Sequence, residues 1–261
     1  MKAMVLAAGL GTRLRPLTNE RPKALVEVGG RTLLEITLTR LRDFGIHDVI
    51  INVHHFAGLI VAYLRQKNNF GMNIEVSRED DLLLDTGGGL KKAGWFFTSE
   101  SLTGKGKTGS DGSKNEDERF LLHNVDVISN IDVKKMLDAH IRTKALATLA
   151  VQDRQTSRYL LFDASLQLCG RQSGRDGKPE LVRPAKNPQL LAFCGIHIIS
   201  PHLIPMMTEK GAFSIIDTYL HLASKGEKIL AFRADEYYWR DLGRPEHIAQ
   251  ASNDLARGML K

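Results

Sequence analysis

Apolar and polar positions alternate in blocks along the first two-thirds of the chain, and the blocks predict strands and helices in turn. Short apolar runs, several of them rich in β-branched residues, predict buried strands at 3–6, 48–53, 73–76, 120–123 and 145–151. Helical spacing of apolar residues predicts helices at 33–44, 57–66 and 132–143, the last capped by Asp132 or Asn130. Strands that alternate with helices require crossover connections, which predicts a doubly wound, mostly parallel α/β sheet.

The pattern changes after residue 155. Strands are predicted at 159–162, 166–169 and 192–199, separated by turns such as Asp176-Gly177 and not by full helices. Helices predicted at 214–223 and 245–255 then close the chain. We therefore predict a core over 1–155 and a smaller mixed-sheet lobe with closing helices over 156–261.

Residues 98–119 contain almost no apolar side chain. This composition predicts a mobile surface loop inserted just before a core strand. A lid over a binding site is the alternative interpretation.

Composition narrows the functional classes. The net charge of +6 would suit a nucleic-acid-binding protein, but basic residues are scattered among acidic ones without a dense stripe or interleaved aromatics. We therefore expect no nucleic-acid partner, and a basic balance equally suits a cleft that attracts polyphosphate. No apolar run approaches the ~20 residues that a membrane-spanning helix needs.

The location of the protein is predicted from its first residues and its cysteines. The apolar stretch in MKAMVLAAGLGTR is too short for a signal peptide. Cys169 and Cys194 are the only cysteines and show no disulfide-framework or zinc-site spacing. A reducing compartment, by default the cytoplasm, is the expectation.

A glycine-rich loop directly after the first strand carries the clearest chemistry. Gly9 and Gly11 can take positive φ, which lets successive backbone N–H groups point into one anion-binding concavity. Arg13 adds a planar cationic fork suited to phosphate oxygens, and Lys23 adds a point charge after Pro22. The pattern predicts a phosphate-binding site.

Two other glycine-loop motifs fit less well. A dinucleotide fingerprint needs a third glycine where this chain has Leu14, and the P-loop pattern is absent. A nicotinamide oxidoreductase is therefore disfavoured.

The segments GLGTRLRPLT and RPKALVEVGGRTLLE together resemble the signature of the sugar-nucleotide pyrophosphorylases. The resemblance covers nearly the whole chain, and the most similar types are N-acetylmuramate 1-phosphate uridylyltransferases and mannose 1-phosphate guanylyltransferases. Further shared segments are LDTGGG at 84–89, FCGI at 193–196 and WRDLG at 239–243. The resemblance implies a Rossmann-like fold and Mg²⁺-dependent transfer of a nucleotidyl group from a nucleoside triphosphate to a sugar 1-phosphate.

The resemblance also implies roles for individual residues. Arg13 and Lys23 would be catalytic, with Lys23 contacting phosphates of both substrates. The residues implied in nucleotide binding are Ala8, Gly9, Gly11, Thr12, Arg13, Lys23, Gly87 and Gly88, and those implied at the sugar are Asn124 and Gly195. Gly87 and Gly88 would lie against the base and ribose, although they could simply be turn glycines. Glu79, Asp80 and Asp81 are all candidates to read the base edge.

Two aspartates are the candidate metal ligands. Asp126 follows the strand at 120–123, and open α/β sheets bind ligands at the carboxyl ends of their strands. Mg²⁺ prefers carboxylate and phosphate oxygens. Family members have Asn-Gly-Asp where this chain has Asn124-Val125-Asp126, so Val125 is expected to narrow the pocket beside the sugar. Asp241 lies at another predicted strand end, and the resemblance implies that it completes the Mg²⁺ site, with Asp217 and Asp235 as alternatives.

The predicted chemistry needs no general base, because a sugar 1-phosphate oxygen is already anionic near neutral pH. In agreement with this, His54, His55 and His123 are predicted to be structural. UTP is the favoured nucleotide and GTP the next, on overall resemblance alone. The alternatives are a catalytically silent, nucleotide-sensing relative and transfer to a non-sugar phosphate such as phosphocholine.

Overall fold

The computed structural model describes residues 1–98 and 119–259, so the loop predicted at 98–119 lies outside the described residues apart from its two end residues. The strands are β1 (Lys2–Leu6), β2 (Glu27–Val28), β3 (Arg31–Thr32), β4 (Asp48–Val53), β5 (Asn73–Arg78), β6 (Phe120–Asn124), β7 (Val127–Ser129), β8 (Ala147–Gln152), β9 (Arg158–Phe162), β10 (Leu168–Ser173), β11 (Glu180–Leu181), β12 (Gln189–Ile199), β13 (Ile229–Arg233) and β14 (Trp239–Asp241). The α-helices are α1 (Leu33–Asp43), α2 (Ala57–Gln66), α3 (Asp85–Lys92), α4 (Val133–Thr143), α5 (Ile215–Ser224) and α6 (Pro245–Ala256). Every strand and helix predicted for the first two-thirds is present.

One mixed sheet of ten strands, counted over the described residues, forms the centre of the protein. Its first half has the order β6-β1-β4-β5, and all of these neighbours are parallel. Its second half is largely antiparallel, because β12 runs against β6, β8 and β9. The predicted α/β fold, with a parallel core and a mixed sheet after it, is confirmed.

The long strand β12 joins the two halves. Its last residues pair with β6 and its first residues pair with β9, which continues into β10 and β11. The strands predicted for a second lobe therefore share a sheet with the core. The division at residue 155 stays a prediction.

Helices cover both faces of the sheet. On one face, Leu38 of α1, Ile60 of α2 and Met136 of α4 pack against apolar strand residues. On the other face, Leu90 of α3 and Tyr219 of α5 do the same. This arrangement buries both faces of β1, β4 and β6, which explains their mainly apolar runs, whereas apolar and polar residues alternate in the edge strand β5.

Side-chain caps start three of these helices, α1, α4 and α5. The hydroxyl of Thr32 accepts a hydrogen bond from the backbone N–H of Glu35 at the start of α1. The carboxylate of Asp132 accepts one from the N–H of Lys135 at the start of α4. Of the two predicted caps for this helix, Asp132 is therefore the one that the structure shows. Asn130 instead accepts from the backbone N–H of Tyr238.

Helix α6 packs outside these two layers. Ala251 of α6 lies in a third apolar cluster with Val28 of β2, Ile128 of β7 and Leu242 directly after β14. The cluster holds the last part of the chain against the loop that follows β1, which also contributes Leu14. None of the helices in the described residues is long and apolar enough to cross a bilayer.

Candidate active site

The strand order changes direction at β1. The chain passes from β1 to β4 on one side, and it later returns to place β6 on the other side. Ligand crevices in open α/β sheets lie at such points, outside the carboxyl ends of the strands. A cleft of about 540 Å³ lies here. It is lined by Leu6, Ala7, Ala8, Gly9, Lys23, Asn52, Leu83, Asp85, Thr86, Asn124, Val125, Asp126 and Ala212.

The glycine loop forms one wall of the cleft. Gly9 has no atom within 4 Å of the position that a Cβ would occupy, so its backbone is open to a ligand. Gly11 has a φ of +66°, and a Cβ there would lie 3.0 Å from Cγ2 of Thr18 and 3.2 Å from Cβ of Lys23. Both the backbone angle and the close neighbours require glycine at position 11.

A buried polar chain fixes the start of this loop. The side chain of Asn52, at the end of β4, accepts a hydrogen bond from the N–H of Ala7 at 2.8 Å and donates one to the carboxylate of Glu79 at 2.7 Å. The other Glu79 oxygen accepts from the N–H of Leu84 at 2.9 Å. Both Glu79 oxygens are thus engaged within the protein, which gives Glu79 a positioning role and does not favour it as a reader of the base. Sequence reasoning missed Asn52, whose signal is an amide within the otherwise apolar strand DVIINV.

Lys23 and Asp126 meet in the cleft. The Lys23 ammonium and the Asp126 carboxylate form an ion pair, with side chains that are 10% and 21% exposed. Lys23 begins a one-turn helix after Pro22, and Asp126 lies in the turn between β6 and β7. A predicted phosphate-binding cation and a predicted metal carboxylate are therefore direct partners.

Asp241 reaches the same region through a short strand pair. β14 pairs with β7, with Asp241 opposite Val127, and the N–H of Leu242 donates to the carbonyl of Asp126 at 2.8 Å. Asp126 and Asp241 therefore lie on neighbouring segments of one small antiparallel ribbon.

Arg13 is close to Asp241. A Cβ on Gly243 would lie 2.6 Å from Oδ1 of Asp241 and 3.2 Å from Nη2 of Arg13, so both side chains contact the same glycine. The carboxylate of Asp241 also accepts a hydrogen bond from the N–H of Gly243 at 2.6 Å. Arg13 and the two candidate metal ligands thus belong to one region of the surface.

The donor set fits a hard divalent cation that also binds substrate. Within residues 1–98 and 119–259, no three histidine, cysteine or carboxylate side chains are grouped closely enough to hold a metal by themselves. Asp126 and Asp241 could supply two carboxylates and leave the other coordination positions to phosphate and water. Mg²⁺ is typically bound in this way.

The two predicted sugar-binding residues contact each other. Gly195 of β12 has a φ of +73°, and a Cβ there would lie 2.8 Å from Nδ2 of Asn124. The Oδ1 atom of Asn124 is buried and has no hydrogen-bond partner among the described residues. Because an unpaired buried acceptor is costly, this oxygen is suited to a ligand hydroxyl at the edge of the cleft. Val125 lines the cleft, although its side chain is largely buried in the core.

Comparison with known proteins identifies this arrangement. The family model described as nucleotidyl transferase matches residues 2–258. The chain belongs to the nucleotidyl transferase family. It is 33% identical to N-acetylmuramate alpha-1-phosphate uridylyltransferase of Caulobacter vibrioides, over 97% of this chain and 96% of the relative. It is 27% identical to mannose-1-phosphate guanylyltransferase of Mycobacterium tuberculosis, over 98% of this chain but only 65% of that longer relative.

Solved structures agree on the fold. UDP-glucose pyrophosphorylase complexed with UDP-glucose superposes with a TM-score of 0.72 at 18% identity, covering 98% of both chains. HddC of Yersinia pseudotuberculosis gives a TM-score of 0.72 at 21% identity, covering 97% of this chain and 99% of that one. The expected enzyme class, sugar-1-phosphate nucleotidyltransferase, is confirmed by the curated relatives, and the structures confirm the fold.

In this nucleotidyltransferase, the second glycine cluster is shaped by internal packing. A Cβ on Gly87 would lie 2.4 Å from the Phe213 ring, and one on Gly88 would lie 2.5 Å from the carbonyl oxygen of Gly211. Gly87 and Gly88 also donate their N–H groups to the carbonyl of Phe213. Their predicted contact with the nucleotide stays a prediction, but the packing of α3 by itself requires glycine there. The neighbouring Asp85 and Thr86 line the cleft.

Several other candidates are engaged away from the cleft of the nucleotidyltransferase. Asp217 pairs with Arg171 and Asp235 with Arg233, which disfavours both as metal ligands. Asp80 pairs with Arg78 on the surface. Thr12 begins a one-turn helix and is exposed beside Arg13.

The histidines take structural positions. His123 is buried and bonds the carbonyl of Asn124 through Nδ1, and burial lowers its pKa to about 4. His54 bonds the carbonyl of Glu79, while His55 is exposed and stacks near Phe56. None of the three lines the cleft.

Proposed function

We propose that this enzyme transfers UMP from UTP to a sugar 1-phosphate, with Mg²⁺, and releases pyrophosphate. GTP is the second candidate nucleotide. The observation that carries the proposal is the meeting of the open glycine loop with Lys23 and Asp126 in the cleft at the carboxyl ends of β1 and β6. A concave backbone, a cation and a carboxylate at one point suit a metal-bound polyphosphate.

The reaction is an in-line attack by a sugar phosphate oxygen on the α-phosphorus of the triphosphate. The new P–O bond forms as the bond to the β-phosphate oxygen breaks, and pyrophosphate leaves with that electron pair. Because the attacking oxygen is already anionic, its orientation matters more than deprotonation. The barrier comes from bringing two polyanions together and from charge that develops on the leaving group.

Residues of the protein lower both contributions to the barrier. The open N–H groups of Ala8, Gly9 and Gly11 would hold the triphosphate, together with Thr12. Arg13 would bind phosphate oxygens as a fork, and Lys23 would turn from Asp126 to a phosphate when substrate enters. One such charged contact supplies roughly 3 kcal/mol of transition-state stabilisation. Asn124 and Gly195 would bind the sugar.

Asp126 and Asp241 would hold the divalent cation. When bound, Mg²⁺ supplies charge neutralisation to the phosphates and fixes their geometry. We further propose that the core over residues 1–155 binds the nucleotide, and that residues 156–261 bind the sugar together with residues at the edge of the core such as Asn124.

The preference for uridylyl transfer rests on the relatives. The uridylyltransferase at 33% identity matches this chain nearly end to end, whereas the guanylyltransferase at 27% identity is longer and matched over 65% of its length. A second relative, UTP–glucose-1-phosphate uridylyltransferase of Synechocystis, is 27% identical and is matched over 63% of its length. Similarity alone supports the choice of base.

The test is a matrix of four nucleoside triphosphates against a panel of sugar 1-phosphates and phosphocholine, reading pyrophosphate with and without Mg²⁺. We expect the highest kcat/KM with UTP and a sugar 1-phosphate, and loss of turnover in EDTA without unfolding. Faster turnover with GTP than with UTP would make GTP the nucleotide substrate. Turnover with phosphocholine and with no sugar 1-phosphate would make phosphocholine the acceptor. No pyrophosphate with any pair would favour the silent, nucleotide-sensing relative.

A further inference from the structure

Arg154 lies beside the sugar side of the candidate active site and was not singled out by any sequence motif. Its guanidinium carbon is 3.7 Å from the centroid of the Trp239 ring, which is a stacked arrangement. Its Nη2 donates to the carbonyl of Phe193 at 2.8 Å. The stack and the hydrogen bond hold the planar group in one orientation.

The surroundings connect Arg154 to residues already assigned to the site. Trp239 donates from Nε1 to the carbonyl of Cys194 at 2.7 Å, directly before Gly195, and Gly195 contacts Asn124. Trp239 and Asp241 are two residues apart on β14, so they share a face of that strand. Arg154 is not among the residues that line the cleft, but Trp239 links it to the strands that carry Gly195 and Asp241.

Arg154 has no matching carboxylate in the described part of the chain, where no acidic oxygen lies within 4 Å of it. Its Nε is buried without a hydrogen-bond partner among the same residues. Arg183 and Arg240, in contrast, are paired with Asp163 and Asp254. Burial lowers the pKa of Arg154, an effect that Cys194 and then Asp241 oppose. A partly desolvated guanidinium with no carboxylate to balance its charge carries a stability cost that an anionic ligand would offset.

We propose that Arg154 is an acceptor-binding residue that binds an anionic group of the sugar 1-phosphate through its guanidinium. Two sources share this chemistry: the phosphate itself, and a carboxylate carried by an acidic sugar. Either presents paired oxygens that match the planar fork. The inference deepens the proposed function and rests on it, because it assigns the recognition of the acceptor substrate to one side chain.

Kinetics separate this role from a structural one. Arg154→Ala is expected to raise the KM for the sugar 1-phosphate about ten- to a hundredfold, the usual range for one charge-assisted hydrogen-bonded contact, while the KM for UTP changes less than about twofold. Arg154→Lys keeps the charge but loses the fork and the stack, so we expect an intermediate KM. Arg158→Ala, on the same segment at an exposed position without an ion pair to any described residue, is the matched control and should behave as wild type.

Two acceptor substrates distinguish the phosphate from the sugar carboxylate as the group that Arg154 binds. Glucose 1-phosphate has only its phosphate, whereas N-acetylmuramate 1-phosphate also has a carboxylate. An equal rise in KM for both acceptors would identify the phosphate as the group that Arg154 binds, and a rise confined to N-acetylmuramate 1-phosphate would identify the carboxylate. KM values within about twofold of wild type for both acceptors would overturn the proposal.

A binding measurement keeps the inference separable from turnover. The chain has two tryptophans, and Trp95→Phe leaves Trp239 as the only one. Titration of this variant with each sugar 1-phosphate should change the Trp239 fluorescence. Adding Arg154→Lys should raise the half-saturating concentration of the sugar 1-phosphate about tenfold or more. A response in Trp95→Phe without any pyrophosphate release would contradict the proposed function alone. Pyrophosphate release with an unchanged fluorescence response in the Arg154→Lys variant would contradict the role of Arg154 alone.

Discussion

The ammonium of Lys23 and the carboxylate of Asp126 form an ion pair in the cleft, although 103 positions separate the two residues in the chain. Each residue was predicted to serve a different ligand, one the phosphates and the other the metal. Before substrate binds, each neutralises the other, so neither charge is left buried and alone. The pair also fixes the loop after Pro22 against the end of β6.

Replacing Asp126 by alanine tests the carboxylate. We expect kcat to fall about a hundredfold or more, because a charged contact to the reacting phosphates is lost. The free energy of unfolding should fall by roughly 2 kcal/mol, because Lys23 is left partly buried and unpaired. Pyrophosphate release and urea unfolding measure the two effects. Asp217→Ala removes an exposed carboxylate and serves as the control, and near-normal turnover of Asp126→Ala would remove Asp126 from the mechanism.

Replacing Arg13 by alanine tests the loop cation. Arg13 is exposed beside Gly243, so its loss should leave the free energy of unfolding unchanged within about 0.5 kcal/mol. Turnover should nevertheless fall about a hundredfold, because the phosphates lose one cationic partner. Arg15→Ala changes another exposed arginine of the same loop and should retain activity. Equal losses in the two variants would point to general electrostatic attraction and not to a specific contact.

Gly87→Ala tests the packing of α3. The new methyl group would lie 2.4 Å from the Phe213 ring, so the ring or the helix must move. Overpacking of this kind lowers the free energy of unfolding by about 1–3 kcal/mol. Gly58→Ala in α2 has open space around the added methyl group and should raise stability by about 0.5–1 kcal/mol. Adding Phe213→Leu to Gly87→Ala should recover part of the loss, and no recovery would mean that Phe213 is not the obstacle.

Stability should fall as the pH is lowered from about 6.5 towards 4. Burial lowers the pKa of His140 to about 4 and that of His197 to about 3, whereas both would titrate near 6.5 in the unfolded chain. Between these values the unfolded state binds more protons than the folded state. Each histidine therefore lowers the free energy of unfolding by roughly 1 kcal/mol over the first pH unit below 6.5. Urea midpoints at pH 7.5 and 5.5 measure the slope. His140→Gln should make the slope shallower, and an unchanged slope would exclude His140 as a source of the pH dependence.

The sequence predicted the core of the fold because the core is built from local patterns. The apolar runs of β1 and β4 and the helical spacing of α2 are visible within a few residues. The glycines after β1 predict a loop whose backbone takes positive φ angles. Asp126 could be placed at a strand end for the same reason. These features depend on neighbours in the chain.

The remaining features depend on contacts between distant segments. β7 and β14 have three residues each, too short for any periodicity, yet their pairing brings Asp241 to Asp126. Asn52 and Glu79 become informative only when β4 and β5 lie side by side. Gly87 and Gly88 resembled a ligand-binding loop in sequence, and only the packing against the Phe213 ring and the Gly211 carbonyl shows why glycine is needed there.

β12 limits how an engineer could change the acceptor of this enzyme. Its last residues belong to the ladder with β6 and its first residues to the ladder with β9, while Gly195 lies between them. A chimera that imported the carboxyl-terminal half of a relative would therefore place a foreign strand against the native β6. Transplants are expected to succeed when β6 and β12 are exchanged together, and to aggregate when the crossover point falls between them.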